Sequence, residues 1–305
     1  MYSDNQSSVA EFILLGLSGD PFVQVLLFSF FFVVYMTTLV GNLLLIVAVK
    51  TDKRLHVSMY FFLASLSFLD ICYPSIIVPK MLANLLSQKK SISFTGCATQ
   101  VYFYLFMAET ECILLALMAY DRYVAICNPL HYNMIMNTKV CFWMISMSWL
   151  TGGIVSSIDM YFIFSLTFCG PNTINHFFCE APLLMQLSCS DITSTNIIQL
   201  VGTTILLFIP LSLILISYFQ IIATIMGIHS LKYKTFSTCI SHLLVVVIFY
   251  GTGIFMYIRP EHSVIEDTDK MVAIFYTTIT PMVNPLIYSL RNKDVQRSMK
   301  KLVGL

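Results

Sequence analysis

Long apolar runs separated by short polar stretches are the first pattern along this chain. From Pro21 to Val49 no charged residue occurs. At about 1.5 Å of rise per helical residue, that is enough to cross roughly 30 Å of hydrocarbon. The second run, Val57 to Pro79, is interrupted only by Asp70; the third, Ser91 to Tyr120, holds Glu109 and Glu111; the fourth, Val140 to Phe168, holds Asp159. Ile192 to Ile228 carries Pro210 and no charge, and Thr235 to Ile258 and Met271 to Leu290 complete the set. The pattern predicts an all-α integral membrane protein, one domain over 1–305, with transmembrane helices near 22–49, 57–79, 97–123, 140–163, 197–226, 235–258 and 271–290. Beyond Leu290, Val295, Met299 and Leu302 recur at helical spacing among Lys and Arg. A short amphipathic helix over 292–303, lying on the inner leaflet, is the expectation; a frayed basic tail is the alternative.

Composition sharpens this. The chain has 305 residues, 57% hydrophobic and 11% charged, where soluble domains carry roughly 25% charged residues. A net charge of +1 argues against a nucleic-acid partner and leaves the lipid bilayer as the surrounding medium. Seven spans put the termini on opposite faces. Twelve of the seventeen Lys and Arg follow spans one, three, five and seven, which places the C-terminus in the cytoplasm and the N-terminus outside. Asn5-Gln6-Ser7 is then a glycosylation sequon in an extracellular tail, with Asn5 as acceptor. Residues 1–20 lack the basic start and short apolar core of a cleavable signal peptide.

Charged groups inside lipid are costly and need a partner or a function. Met118-Ala119-Tyr120-Asp121-Arg122-Tyr123-Val124-Ala125-Ile126-Cys127 sets an acid and a base where span three should leave the membrane. Arg122 stays charged and offers a planar fork of donors, so Asp121 can hold it locally and release it when helices separate. That suits a switch better than catalysis. Asp70 and Glu111 lie deep in spans two and three and can meet across the bundle. Facing carboxylates share a proton or hold a cation, and Asn42 and Asn284 could add oxygen donors. Four of the nine cysteines, Cys97, Cys169, Cys179 and Cys189, fall in outer segments, where three pairings are open. His176-Phe177-Phe178-Cys179-Glu180 also admits a copper or zinc site, unless a disulfide takes the thiolate.

Several longer runs carry a resemblance. The ten residues from Met118, the run Met59-Tyr60-Phe61-Phe62-Leu63-Ala64-Ser65-Leu66-Ser67-Phe68-Leu69-Asp70, Lys234-Thr235-Phe236-Ser237-Thr238-Cys239-Ile240-Ser241-His242-Leu243 and Pro281-Met282-Val283-Asn284-Pro285-Leu286-Ile287-Tyr288-Ser289-Leu290-Arg291-Asn292 resemble the olfactory receptors, a branch of the rhodopsin-like G-protein-coupled receptors. Ser58 stands where the family usually has proline, and Thr235 where it has alanine. The resemblance implies a G-protein switch at Asp121, Arg122 and Tyr123, with Tyr218 and Tyr288 as partners. It also implies a polar network of Asn42, Asp70, Asn284, Pro285 and Tyr288, joined here by Glu111, in which a sodium ion could sit at Asp70 and Glu111. A protonated carboxyl pair without an ion is the alternative. The implied disulfides are Cys97–Cys179 and then Cys169–Cys189. The partners implied are a small volatile odorant and a stimulatory heterotrimeric G protein that raises cyclic AMP, and the location a plasma membrane, in sensory cilia. No acid occurs between Asp191 and Glu261, and Lys232 and Lys234 stand at the base of span six. The resting state is therefore expected to be held by Asp121 and by hydroxyls such as Tyr218 or Tyr288.

Helical spacing predicts a mostly apolar ligand cavity walled by Tyr104, Leu105, Ala108 and Glu109 on span three, Thr203 and Leu206 on span five, Tyr250, Ile254 and Tyr257 on span six, and Thr277 on span seven. Glu109 is about 200° around the helix from Glu111, so the two acids face different ways. Glu109 is either an ionised partner for an amine or a neutral carboxyl bonding a neighbouring hydroxyl. Asp159, nearer the outer end, is expected to be solvated or capped. Met271 to Leu290 has no Lys for a Schiff base, which excludes a light-sensing opsin. Neither ligand sets nor nucleophile–base pairs suggest an enzyme. The alternatives are a non-olfactory rhodopsin-like receptor for a small metabolite and, in another class, an ion-coupled transporter, which would show paired halves with broken helices.

Overall fold

The structure, a computed structural model, describes residues 9–169, 171–227, 232–257 and 266–303. Among the described residues, seven helices are long and apolar enough to cross a membrane. Spans one to six are Pro21–Thr51, Ser58–Leu86, Phe94–Cys127, Thr138–Phe164, Thr193–Gly227 and Lys232–Tyr257. Span seven is built from the α-helix Glu266–Ile274, a π-helical turn at Phe275–Ile279 and the α-helix Thr280–Arg291. Local chemistry sets the starts. Asp20 accepts hydrogen bonds from the backbone N–H of Phe22 and Val23, with Pro21 just inside the helix. Ser93 and Asn137 cap spans three and four through the N–H of Gly96 and Val140.

Most spans extend beyond the sequence expectation, spans five and seven beginning at Thr193 and Glu266 and span three ending at Cys127. Span two runs past Pro79 to Leu86, because Lys80 ended the charge-free run without ending the helix. A long Lys stem can lie along apolar surface while its head reaches water. Span three begins at Phe94, three residues before Cys97. The helix Lys293–Val303 follows span seven; of the face the spacing predicts, Val295 is buried and Met299 partly so, while Leu302 is exposed along with Lys300 and Lys301. Large apolar side chains such as Phe22, Phe142 and Phe219 cover the outside of the bundle, where lipid rather than water is the favourable neighbour.

A three-stranded sheet, foretold by nothing in the apolar runs, closes the end of the bundle that the charge bias assigns to the outside. β1 (Glu11–Leu14) lies between β2 (Ser91–Ser93) and β3 (Thr173–Ile174), antiparallel to the first and parallel to the second. Lys89 adds a 2.5 Å ion pair to Glu11. Cys97 is joined to Cys179 with Cα atoms 5.5 Å apart, and Cys169 to Cys189 at 5.9 Å. The sheet and the two bridges fold the long segment between spans four and five over the bundle.

Close approach matters most between spans three and four. A Cβ at Gly152 would run into the Thr110 hydroxyl and stand 3.1 Å from the Phe106 carbonyl oxygen. Only a hydrogen at that position lets the two backbones come so near, the device by which small residues seat membrane helices.

Candidate functional site

Beneath the outer cap lies a cavity of about 100 Å³, room for several water-sized groups. At roughly 10–15 Å³ per such group, it holds about seven to ten heavy atoms. Tyr104, Leu105, Ala108 and Glu109 of span three and Thr203 and Leu206 of span five line it, on the faces that helical spacing selects. Spans six and seven present other faces. Phe249, Thr252, Gly253 and Met256 line the cavity, whereas Tyr250, Ile254 and Thr277 do not. The Tyr250 hydroxyl donates to the Cys112 carbonyl oxygen at 3.0 Å, which turns that residue toward span three. Thr277 bonds back to the Ala273 carbonyl oxygen at 2.6 Å, inside the π-helical turn that brings Tyr276 to the wall instead. A regular 3.6-residue count cannot see such a turn. The side chain of Tyr257 lies outside the described residues, as does Asn5.

The cavity also takes in residues that spacing on single spans missed. Asp159 of span four is 8% exposed and lines the cavity, so it is neither solvated nor a cap. Its carboxyl comes within hydrogen-bonding reach of Glu109, which is also 8% exposed. Glu109 therefore meets a second acid and not a hydroxyl. The signal that could have found this pair is Gly152, one small residue two turns before Asp159. At the roof, Tyr276 donates to Glu180 at 3.1 Å, and Tyr104 donates to the Tyr276 hydroxyl at 3.3 Å. Burial pushes the Glu180 carboxyl up to about 7, against the Tyr276 hydrogen bond, with Asp269 adding to the rise. His176, beside it in the same loop, is pushed down to about 3 by burial and then by Lys270. Because Cys179 is bonded to Cys97, the thiolate that a metal at His176 would need is gone.

Midway down the bundle, Asn284 donates to both oxygens of Asp70, at 3.0 and 3.2 Å. Asn42 donates to the carbonyl oxygens of Thr38 and Pro281, each at 3.0 Å. Glu111 is buried nearby and interacts electrostatically with Asp70. Among the described residues, the side-chain oxygens Asn42 Oδ1 and Asn284 Oδ1 are buried without hydrogen-bond partners. Asn284 and Glu111 thus meet Asp70, and Asn42 bonds the Pro281 carbonyl of the same helix as Asn284.

At the opposite end of span three, Asp121 is fully buried and holds Arg122 through Nε, at 3.0 Å, and through Nη2. The expected hydroxyl partners are corrected here. Tyr218 bonds His242 Nδ1 at 2.8 Å, and the buried Tyr288 hydroxyl has no partner among the described residues. Tyr132, from the short helix Tyr132–Ile135, supplies the hydroxyl instead, donating to Asp121 at 2.9 Å. Burial, and then the Asp121 charge, push the Tyr132 phenol up to about 12, so it remains a donor at neutral pH. Arg122, His242 and Tyr288 line a small chamber beside this pair, and Tyr123 packs partly buried against the core. Ser58, the departure from the usual proline, donates to the Met136 carbonyl oxygen at 2.6 Å and anchors the Tyr132 helix. The side chains of Lys232 and Lys234 lie outside the described residues.

Comparison with known proteins fits this arrangement. A family model described as olfactory receptor matches residues 31–304. Olfactory receptor 10A7 of Homo sapiens is 46% identical over 305 residues, covering 99% of this chain and 96% of that relative. Olfactory receptor 5AP2 of Mus musculus is 49% identical over 301 residues, covering 98% and 95%. Olfactory receptor 2D2 of Homo sapiens is 49% identical over 300 residues, covering 98% and 97%. The chain belongs to the olfactory receptor family, a family of multi-pass membrane receptors and not of enzymes.

Proposed function

We propose that this chain binds a small volatile odorant in the outer cavity and, through span three, activates a stimulatory heterotrimeric G protein that raises cyclic AMP. One observation carries the reading: a single helix, Phe94–Cys127, lines the ligand-sized cavity at one end and holds the Asp121–Arg122 pair at the other. A ligand that favours one setting of that helix shifts the population of the inner end by its difference in affinity for the two settings. Opening frees the Arg122 fork from Asp121 for backbone carbonyls of the partner. The N-terminus lies outside and the C-terminus in the cytoplasm, with sensory cilia as the site of action. A sodium ion fits between Asp70 and Glu111, with Asn42 Oδ1 and Asn284 Oδ1 as further oxygen donors, since both are otherwise unsatisfied. Oxygen donors suit a hard cation.

The test is expression of the full chain with the stimulatory G protein, with cyclic AMP read across a chemically broad odorant panel. A concentration-dependent rise is the expected result. Solute flux through vesicles without nucleotide exchange on the G protein would overturn the reading in favour of a transporter.

A further inference from the structure

We infer that Glu109 and Asp159 together form a proton-sharing carboxyl pair that makes small basic amines the preferred ligands of the outer cavity. This deepens the odorant-receptor reading and rests on it. The pair is built by packing. Gly152 lets span four close on Thr110 and Phe106 of span three. Glu109 directly precedes Thr110, and Asp159 lies two turns along span four from Gly152, so the two carboxyls are delivered to the same place. Both line the cavity, each is 8% exposed, and they reach one another. Among the described residues, no Lys, Arg or His lines the cavity, and Glu109 Oε2 is buried without a hydrogen-bond partner.

Two carboxylates this close in an apolar cavity cannot both ionise without a counter-charge. With no counter-charge beside it the empty pair is neutral, each carboxyl holding its own proton. A guest that supplies positive charge relieves the arrangement, and a volatile amine can enter as the neutral base. Its nitrogen lone pair then takes a carboxyl proton: the O–H bond breaks, an N–H bond forms, and an ammonium faces a pair that carries one negative charge and keeps its second proton. Net charge in the cavity is unchanged, so no separate ion has to follow the ligand in. The ammonium donates a charge-assisted hydrogen bond to the unpartnered oxygen. Tyr73, Tyr104, Phe249 and Tyr276, all in the wall, offer aromatic faces that attract a cation. A neutral alcohol gains a single ordinary hydrogen bond at the same place, and a carboxylic acid adds a third acid to two.

The experiment compares cyclohexylamine, cyclohexanol, cyclohexanecarboxylic acid and methylcyclohexane, all near the size the cavity admits, in cells expressing the full chain with the stimulatory G protein. Cyclohexylamine should act at concentrations lower than cyclohexanol by about ten-fold or more, the difference between a charged and a neutral hydrogen bond. Glu109→Gln and Asp159→Asn should each bring the amine-to-alcohol ratio of effective concentrations close to one, a ratio taken within each variant so that any change common to both ligands cancels. Surface labelling reports folding, and if a variant fails to reach the surface the wild-type ranking decides. An amine no better than its alcohol, or an advantage that survives both substitutions, overturns the inference and leaves the receptor reading standing. Silence toward all four compounds, with the wild-type chain at the surface, overturns the inference, and only silence across the broad odorant panel as well overturns the receptor reading.

Discussion

The two ends of span three bury acids in opposite electrostatic circumstances. At the inner end Asp121 has a guanidinium on one side and the Tyr132 hydroxyl on the other, so its charge is fully answered inside the protein. At the outer end Glu109 has another acid and the Ser156 backbone beside it, with no cation among the described lining residues, and one of its oxygens is left without a partner. Burial is similar and the side-chain chemistry almost the same, so the difference lies in what the fold has placed beside each carboxyl. A completed pair holds a conformation; an incomplete one waits for a guest. Each end of a receptor needs one of these, a lock that can be broken and a socket that can be filled.

The largest effect should come from breaking the completed pair. Arg122→Leu leaves Asp121 buried with its charge unanswered, and removing one partner of a buried ion pair costs about 3–5 kcal/mol. The expected outcome is loss of most surface expression and of any cyclic AMP response, with partial recovery of expression in Arg122→Leu/Asp121→Asn, where the stranded charge is also removed. If the single variant reaches the surface as well as the wild type, Asp121 is not held in the way the geometry implies, and the contrast between the ends dissolves.

How much of this was legible in the sequence follows a physical line. The seven spans were readable because a charge in hydrocarbon is so costly that helices crossing it must be built from long charge-free runs. Cavity walls on spans three and five were readable because both helices are regular there. On span seven the π-helical turn at Phe275–Ile279 shifted the register, and no residue type in that stretch announces it. On span six a hydrogen bond between helices, Tyr250 to Cys112, set the rotation. The meeting of Glu109 with Asp159 and of Tyr132 with Asp121 depends on tertiary approach, through Gly152 in one case and Ser58 in the other. The sheet of Glu11–Leu14, Ser91–Ser93 and Thr173–Ile174 joins strands of four, three and two residues from three distant segments. Strands that short carry almost no periodicity.

A smaller effect sharpens the outer half of the comparison. Glu180, at the roof, is a third outer acid answered by a hydroxyl and not by a cation, and its carboxyl is raised from 4.5 to about 7. A carboxyl raised in the fold binds its proton more tightly there than in the unfolded chain. Stability is therefore highest below 4.5 and falls as pH rises from 4.5 to about 7, beyond which it is flat. The slope cannot exceed about 1.4 kcal/mol per pH unit. His176 tilts the other way, since a histidine held neutral in the fold loses stability as pH falls below 6.5. The difference between wild type and Glu180→Gln cancels that contribution. Melting temperatures of the two in detergent should converge toward pH 4.5 and separate toward pH 7, with the wild type lower. Parallel curves would mean Glu180 is ionised in the fold, with a cation close to it.

The smallest effect tests whether the two ends communicate through the middle. The Tyr250 hydroxyl ties span six to the Cys112 carbonyl oxygen of span three, between the cavity and the Arg122 chamber. Tyr250→Phe keeps the ring and its packing and removes only this bond, a net loss of about 0.5–1.5 kcal/mol. Because the Cys112 carbonyl sits within a helix, it is not left stripped of its intrahelical partner. If the bond holds span six against span three in the resting state, its loss lowers the cost of opening, and basal cyclic AMP should rise by roughly two-fold to ten-fold. Ligand concentrations for half-maximal response should shift left by no more than the same factor. A rightward shift with unchanged basal activity would instead make Tyr250 part of the ligand wall, as helical spacing alone predicts. The lock and the socket would then be joined by span three only.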